Sequence, residues 1–373
     1  MEKQHLTYFK IENFKRFDSF EMSNLGQFNL IVGDNNVGKT SVLEALCYDS
    51  DITNLALRYL YSTSIREGKI PEYTEVDMNN FSSINTWERL FKEINKPIVI
   101  RYLEVSHNNE SIYNLKYKIS NQLTLKERSY IKDFFLLKSA PKAWLSLSKI
   151  NDEHGDFNML PAYFEGIYID TNGNDKSSVS FITASQNYGQ DLVDFYYSYI
   201  NGDKDSIKSL QDSLRNFITD LEEVRVHKYS NGSEILGVFL TKSNDFYPIT
   251  RYGDGSIRFV RVIIEVILSK GKRIMIDEMG SGIHFSRLKD FWRIIIELCF
   301  RYQVQLFTTT HSLECQQAFI EALQDDDMKQ FQADARNITM FEDKEGQVKS
   351  VTYTFEEFEF SIENNINTRG GRR

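Results

Sequence analysis

Apolar positions in the first 32 residues alternate with polar ones and are broken by short polar turns. This period of two predicts three strands, over 6–11, 17–22 and 28–32. The run Ser41-Val42-Leu43-Glu44-Ala45-Leu46 then changes to helical spacing, and a helix is expected to about residue 47. Residues 51–66 read as helical and 87–94 as a short helix. Alternation returns over 98–106 and 113–120, which are expected to pair as a hairpin through Asn108-Asn109. Helical spacing follows over 123–137. Residues 140–174 mix Gly, Asp and Asn with aromatics and hold no clear period.

The second half is more regular. A strand-like run at 179–184 precedes two helical stretches, 191–200 and 204–220. Strands at 223–229 and 234–240 flank Asn231-Gly232, a strong turn signal. A helix is expected over 259–269, a strand over 272–278, a helix over 285–300, a strand from 304 and a helix over 313–323. A hairpin at 337–341 and 348–353, around Lys344-Glu345-Gly346, and a short helix at 355–364 complete the pattern. Asp325-Asp326-Asp327 reads as a solvated loop, because a metal site needs ligands converging from separated positions. No internal repeat appears, and no heptad stretch is long enough for a coiled-coil arm.

Three segments carry chemistry. Gly33-Asp34-Asn35-Asn36-Val37-Gly38-Lys39-Thr40 matches G-x-x-x-x-G-K-[ST] at every fixed position, between a strand and a helix. Such a loop turns backbone N–H groups and a helix start toward an anion. Lys39 would reach the β- and γ-phosphates and Thr40 would ligate Mg²⁺, with Ser41 completing the ATP-binding set. Lys272-Arg273-Ile274-Met275-Ile276-Asp277-Glu278 is an apolar strand ending in two carboxylates, a Walker B pattern. Asp277 would hold Mg²⁺ and Glu278 would polarise the attacking water. Neighbouring strand positions face opposite ways, which lets the two take different roles. The strand 304–310 ends at His311, expected beside the Walker B strand at the carboxyl edge where open α/β sheets bind ligands. His311 there would sense the γ-phosphate or the water.

With these motifs in place, the chain resembles the ABC-type ATPase heads of the structural-maintenance-of-chromosomes, recombination-protein-F and overcoming-lysogenization-defect group. Phe9-Lys10-Ile11-Glu12-Asn13-Phe14-Lys15-Arg16-Phe17 is similar to their first strand and turn, and Thr309-Thr310-His311-Ser312 to their switch segment. Compact bacterial ATPases of anti-phage defence operons, PARIS-type among them, are the nearest look-alikes, with Leu313-Glu314-Cys315 also shared. The resemblance implies an α/β fold: an ABC-type P-loop ATPase head with a mixed central sheet, an antiparallel N-terminal β-subdomain and a helical/β insertion lobe. It places a signature motif at 251–258, where the G-D-G form departs from L-S-G-G. Gly253, Gly255 and Ser256 would there meet a nucleotide bound by another subunit. Ser281 and Gly282 fall where a D-loop belongs; no Q-loop is identified. The implied organisation is a core built from residues 1–106 and 179–373 with an insertion at 107–178. The implied activity is hydrolysis of ATP with Mg²⁺ by a homodimer, or higher homo-oligomer, that sandwiches the nucleotide.

Charge and cysteine content narrow the class further. The net charge of −9 over 373 residues argues against broad coating of nucleic acid. It leaves room for a local patch such as Lys126, Arg128, Lys132 and Lys138, which also reads as a solvated helix face. Cys47, Cys299 and Cys315 have no C-x-x-C spacing and suit free thiols in a reducing compartment. No signal pattern or spanning apolar run is visible, so a cytoplasmic protein off the membrane is expected. No nuclease motif is visible either. The expected role is a sensor or scaffold in anti-phage defence, acting on a separately encoded effector of nuclease type. A DNA-clamping repair ATPase and an assembly scaffold without turnover stand as alternatives.

Overall fold

The computed structural model describes residues 5–48, 55, 89–105, 110–119, 122–125, 128, 143–150, 158–162, 180–184, 192–242 and 245–364. In chain order these form β1 (Leu6–Phe14), β2 (Phe17–Met22), β3 (Phe28–Gly33), α1 (Lys39–Ala45), β4 (Ile98–Glu104), β5 (Ser111–Ile119), β6 (Ala143–Lys149), β7 (Asn158–Ala162) and β8 (Ser180–Ile182). Then come α2 (Leu192–Phe195), which runs on as a π-helical turn (Tyr196–Ile200), α3 (Lys204–Arg215), β9 (Leu221–Lys228), β10 (Glu234–Leu240) and β11 (Phe246–Pro248). The chain continues through α4 (Asp254–Leu268), β12 (Arg273–Ile276), α5 (Leu288–Arg301), β13 (Gln305–Thr309), α6 (Leu313–Gln324), β14 (Ala335–Glu342), β15 (Val348–Thr354) and α7 (Phe355–Glu363).

The central sheet has the order β15-β14-β3-β13-β12-β8. Its strands run parallel except β15, which pairs antiparallel with β14 on the edge. Parallel strands covered on both faces need apolar side chains in both directions, which explains why every residue of β3 is buried. The alternation of strand side chains splits them between two cores. Phe28, Leu30, Val32, Ile274, Ile276 and Leu306 pack with α4, α5 and α6. Ile31, Met275, Phe307 and Ile338 pack on the other side, with Val42, Leu43 and Leu46 and with the antiparallel sheet. That second sheet has the order β2-β1-β4-β5-β6-β7, so strands from 111–162 continue the sheet begun at 6–22. A third, three-stranded sheet, β11-β10-β9, leads into α4. Trp292 of α5 is fully buried and donates its indole N–H to the Cys315 carbonyl at 3.0 Å, which ties α5 to α6.

Most sequence boundaries hold within a few residues, and the exceptions have local causes. Residues 89–94 are not a helix: Phe91 bridges to Phe14, and the Leu90 carbonyl accepts from the Lys15 N–H at 2.7 Å. Backbone committed to the β1–β2 turn cannot also close helical turns. α3 stops at Arg215 rather than 220, before a turn in which Asp220 takes a left-handed φ of 62°. α4 begins five residues early because Gly253, at φ 87°, lets the Ser256 and Ile257 N–H groups bond back to its carbonyl. β11 was not expected; it is three residues long and ends in proline. Asp325 and Asp327 are not merely solvated: Arg293 of α5 bonds both, and Lys289 pairs with Asp325 at 2.8 Å. Most of the expected helices at 51–66 and 123–137, the Asn108-Asn109 turn and most of the basic stretch lie outside the described residues.

Candidate active site

The glycine loop joins β3 to α1, and both of its fixed glycines are required by close packing. A Cβ on Gly33 would lie 2.6 Å from the Met340 carbonyl. Gly38 has φ 102°, and a Cβ there would lie 2.8 Å from the Phe17 ring. Asn36 supplies a second left-handed residue, φ 65°. Val37 is buried and pegs the loop, while Asp34, Asn35 and Asn36 are exposed. Lys39 is buried, and its Nζ donates to the Gly33 and Asp34 carbonyls at 2.8 and 3.1 Å. Burial pulls the Lys39 pKa below its ordinary value, an effect opposed by the nearby charges of Glu278, Asp277 and Asp34. A desolvated cation curled over a loop of backbone donors suits an anionic ligand.

The carboxylates stand beside it. The order β3-β13-β12 puts the Walker B strand two strands from the loop, with the histidine strand β13 between them. Asp277 is buried, and its carboxylate accepts from Thr40 Oγ1 at 3.1 and 3.3 Å and from Thr309 Oγ1 at 2.6 Å. The same Thr309 hydroxyl accepts the Glu278 N–H at 2.9 Å, so one side chain of β13 sets both acidic residues. Glu278 accepts from His311 Nδ1 at 2.7 Å. The His311 side chain is 67% exposed and that of Glu278 22%, so the pair is reachable from solvent. Asp277 and Glu278 lie just beyond β12, and Glu278 has φ 54°. Their different directions therefore come from a left-handed turn, not from strand alternation as the sequence suggested.

Arg258 went unassigned at the sequence level and belongs to this site. It is buried on α4, and its Nη2 donates to the Asp277 carbonyl at 2.8 Å and the Glu278 carbonyl at 2.6 Å. The sequence signals a buried cation but not its acceptors: Arg258, Arg261 and Glu265 form a charged stripe at helical spacing in an otherwise apolar helix. α4 also carries the glycine-rich segment at its start. A Cβ on Gly255 would lie 2.3 Å from the Gly282 carbonyl, so the segments around Gly255 and Gly282 touch backbone to backbone. Gly253 and Asp254 are exposed there, as are Ser281 and Gly282. Ser256 Oγ donates to the Tyr252 carbonyl at 3.0 Å. Ser41 is half-buried on α1, one residue past Thr40.

Thr40 and Asp277 offer one hydroxyl and one carboxylate side by side. Mg²⁺ is typically held by such a small oxygen set completed by substrate phosphates and water. Among the described residues no cluster of three or more His, Cys, Asp or Glu side chains could hold a metal by itself.

A strand–glycine loop–helix with its lysine, two acidic residues just past the end of a parallel strand of the same sheet, and a histidine pairing with one of them define a P-loop ATPase. The chain belongs to the family described as "AAA domain, putative AbiEii toxin, Type IV TA system", whose model matches residues 28–314. It is similar to an ATP/GTP phosphatase of Helicobacter pylori, 24% identical over 388 residues that cover 97% of this chain and 99% of the relative. Among solved structures it is similar to the SMC head domain from Thermotoga maritima, with 11% identity and a TM-score of 0.43, covering 94% of this chain and 99% of that one. It is also similar to the Pyrococcus furiosus Smc head bound to the C-terminal domain of ScpA, with 10% identity and a TM-score of 0.46, covering 97% and 99%.

Proposed function

We propose that this chain hydrolyses ATP with Mg²⁺ and uses the cycle as a switch over a separately encoded effector in anti-phage defence. The observation that carries the hydrolytic reading is the Glu278–His311 pair at 2.7 Å, beside an Asp277 carboxylate held by Thr40 and Thr309. Bound Mg²⁺, held by Thr40 and Asp277, would neutralise the β- and γ-phosphate oxygens. Lys39 adds a second cation to those phosphates as negative charge moves toward the leaving ADP. Glu278 orients the attacking water and takes its proton as the water oxygen bonds to the γ-phosphorus and the bond to ADP breaks. His311, bonded through Nδ1 to Glu278, fixes that carboxylate and keeps Nε2 for the phosphate or the water.

A composite site between two chains follows from the same reading. Gly253, Gly255 and Ser256 of one subunit would complete the site built on Lys39 of the other. The exposure of Gly253 and Asp254 beside the exposed Ser281 and Gly282 supports a contact surface there. The defence role draws support from the family description, whose words are "putative AbiEii toxin, Type IV TA system". The net charge of −9 favours a protein partner over a nucleic-acid coat. No helix among the described residues is long and apolar enough to cross a membrane.

Glu278→Gln tests the chemistry and the biology together. The amide keeps the shape but cannot take the proton, so ATP binding persists and phosphate release falls by about a hundredfold or more. Wild-type turnover in that variant would remove Glu278 from the reaction. A host carrying the locus with its neighbouring genes is then challenged with a phage panel. Protection by the wild type and its loss with Glu278→Gln are expected; equal plaquing on every phage with intact expression sinks the defence reading.

A further inference from the structure

The turn between β1 and β2 is held by more bonds than a hairpin needs. Asn13 Nδ2 donates to the Glu93 and Lys96 carbonyls at 2.9 and 2.8 Å, and Asn13 Oδ1 accepts the Glu93 N–H at 2.7 Å. The Lys15 N–H donates to the Leu90 carbonyl at 2.7 Å, and the Lys92 N–H to the Asn13 carbonyl at 3.2 Å. Asn13 and Lys15 both sit in the left-handed region, φ 57° and 50°. Backbone kept there by surrounding bonds costs free energy that the segment must justify elsewhere.

What the turn does is grip the phosphate loop at three points. The Phe17 ring fills the space where Gly38 lacks a side chain. Arg16 pairs with Glu342 at 2.8 Å, two residues past Met340, whose carbonyl packs against Gly33. Lys15 Nζ forms an ion pair with the Glu44 carboxylate on α1. Glu44 lies four residues after Thr40, one helical turn along the same face. The Glu44 side chain is 1% exposed and that of Lys15 19%, so water screens this pair far less than a surface one. Neither residue belongs to the set that meets phosphate or metal.

We infer that Lys15 and Glu44 are a positioning pair for the ATP site, an inference that rests on the ATP-binding part of the function proposed above. The pair clamps α1, and with it Lys39 and Thr40, to the β1–β2 turn. Neutralising either member removes the charge that the other faces across this contact and lets the helix start drift relative to the loop. The loss then falls on nucleotide affinity more than on the chemical step, because Glu278 and His311 follow the ends of β12 and β13 and are not part of α1.

The test compares Lys15→Met, Glu44→Gln, the double variant and Lys15→Arg in the full chain, by calorimetry with MgATP and by steady-state phosphate release. Each single neutralisation is expected to raise Kd and KM about tenfold, with kcat within about threefold. The double variant is expected to lose no more than the worse single, because either single change already breaks the contact, the mark of a coupled pair. Lys15→Arg keeps the charge and should restore Kd to within about twofold of the wild type. Lys92→Met, which opens the more exposed Lys92–Asp18 pair near the same turn, should leave Kd unchanged. Folded single variants with wild-type Kd, or a double variant whose loss is the product of the two singles, overturn the inference. Should a single variant not fold, the double carries the decision, and wild-type affinity in it overturns the inference. The binding arm is independent of turnover: a wild-type chain that binds ATP without hydrolysing it defeats the hydrolytic reading and not this one.

Discussion

Replacing Arg258 with Met removes the group that holds the backbone of both acidic residues while keeping a chain of similar length in the core. Arg258 Nη2 donates to the Asp277 and Glu278 carbonyls at 2.8 and 2.6 Å from a side chain that is almost fully buried. Two hydrogen bonds from a charged donor are together worth about 3–6 kcal/mol. Against this stands the left-handed backbone of Glu278, φ 54°, which costs about 1–3 kcal/mol and relaxes once its carbonyl is released. The net loss of stability is therefore expected at about 2–3 kcal/mol from the mid-range values and at most about 5, since the relaxation returns part of what the bonds supplied. Function should suffer more than stability. A relaxed Glu278 carboxylate leaves its partner His311, and a displacement of about 1 Å lowers kcat by about a hundredfold. Lys39 and the glycine loop are untouched, so the Kd for ATP stays within about threefold. Urea unfolding, calorimetry with MgATP and a phosphate-release assay read the three quantities on one preparation. A folded Arg258→Met protein whose kcat is within twofold of wild type would refute the reasoning, because Glu278 would then hold its place without the guanidinium.

Lys39→Ala should weaken ATP binding by about a hundredfold or more, read by calorimetry. It should not lower the melting temperature of the ligand-free protein: burial depresses the Lys39 pKa, so its charge costs folding stability at neutral pH and ceases to do so only above the ordinary value. A large drop in melting temperature would mean that Lys39 is mainly structural. Ser256→Arg places a bulky cation at the start of α4 and should block hydrolysis while sparing ATP binding; full activity of that protein alone would exclude a site shared between subunits. Burial pushes the Cys315 thiol up to about 11 and Cys299 higher still, so a thiolate-selective reagent at pH 8 should label neither until urea is added. For Cys315 the folded chain keeps a proton that the unfolded chain releases above 9, so the stability it contributes is full below pH 9 and lost as pH rises toward 11. The fall in urea midpoint across that window should shrink in Cys315→Ala.

The parts of the site that the sequence made legible are those whose chemistry is local. Eight consecutive residues, 33–40, hold the glycines, the lysine and the hydroxyl, because a phosphate cradle is a feature of one turn of backbone. The acidic pair and the histidine were legible for a similar reason: each ends an apolar strand, and parallel strands of one sheet bring their carboxyl ends to one edge. Register did the rest, pairing Ile276 with Thr308 one residue before Asp277 and Thr309. The left-handed turn at Glu278 was not legible, since a glutamate gives no sign of positive φ. Nor was the absence of a helix at 89–94, where apolar spacing yielded to bonds with a turn some 75 residues earlier.

Arg258 and Lys15 show where such reading stops. A buried cation in an apolar helix demands a partner, and for Arg261 the partner is a side chain four residues on, Glu265 at 2.7 Å, which the spacing reveals. For Arg258 the acceptors are backbone carbonyls, which every residue possesses, so no pattern of side chains points to them. For Lys15 the acceptor is a glutamate 29 positions away, hidden among 53 acidic residues. Both cations act on the nucleotide site from one contact further out. The residues that touch phosphate are constrained to a motif, whereas those that hold the motif in place need only reach it in space. Variants at Arg258 and at Lys15 should therefore separate cleanly, the first in kcat and the second in Kd, because one cation holds the carboxylates and the other holds the loop helix.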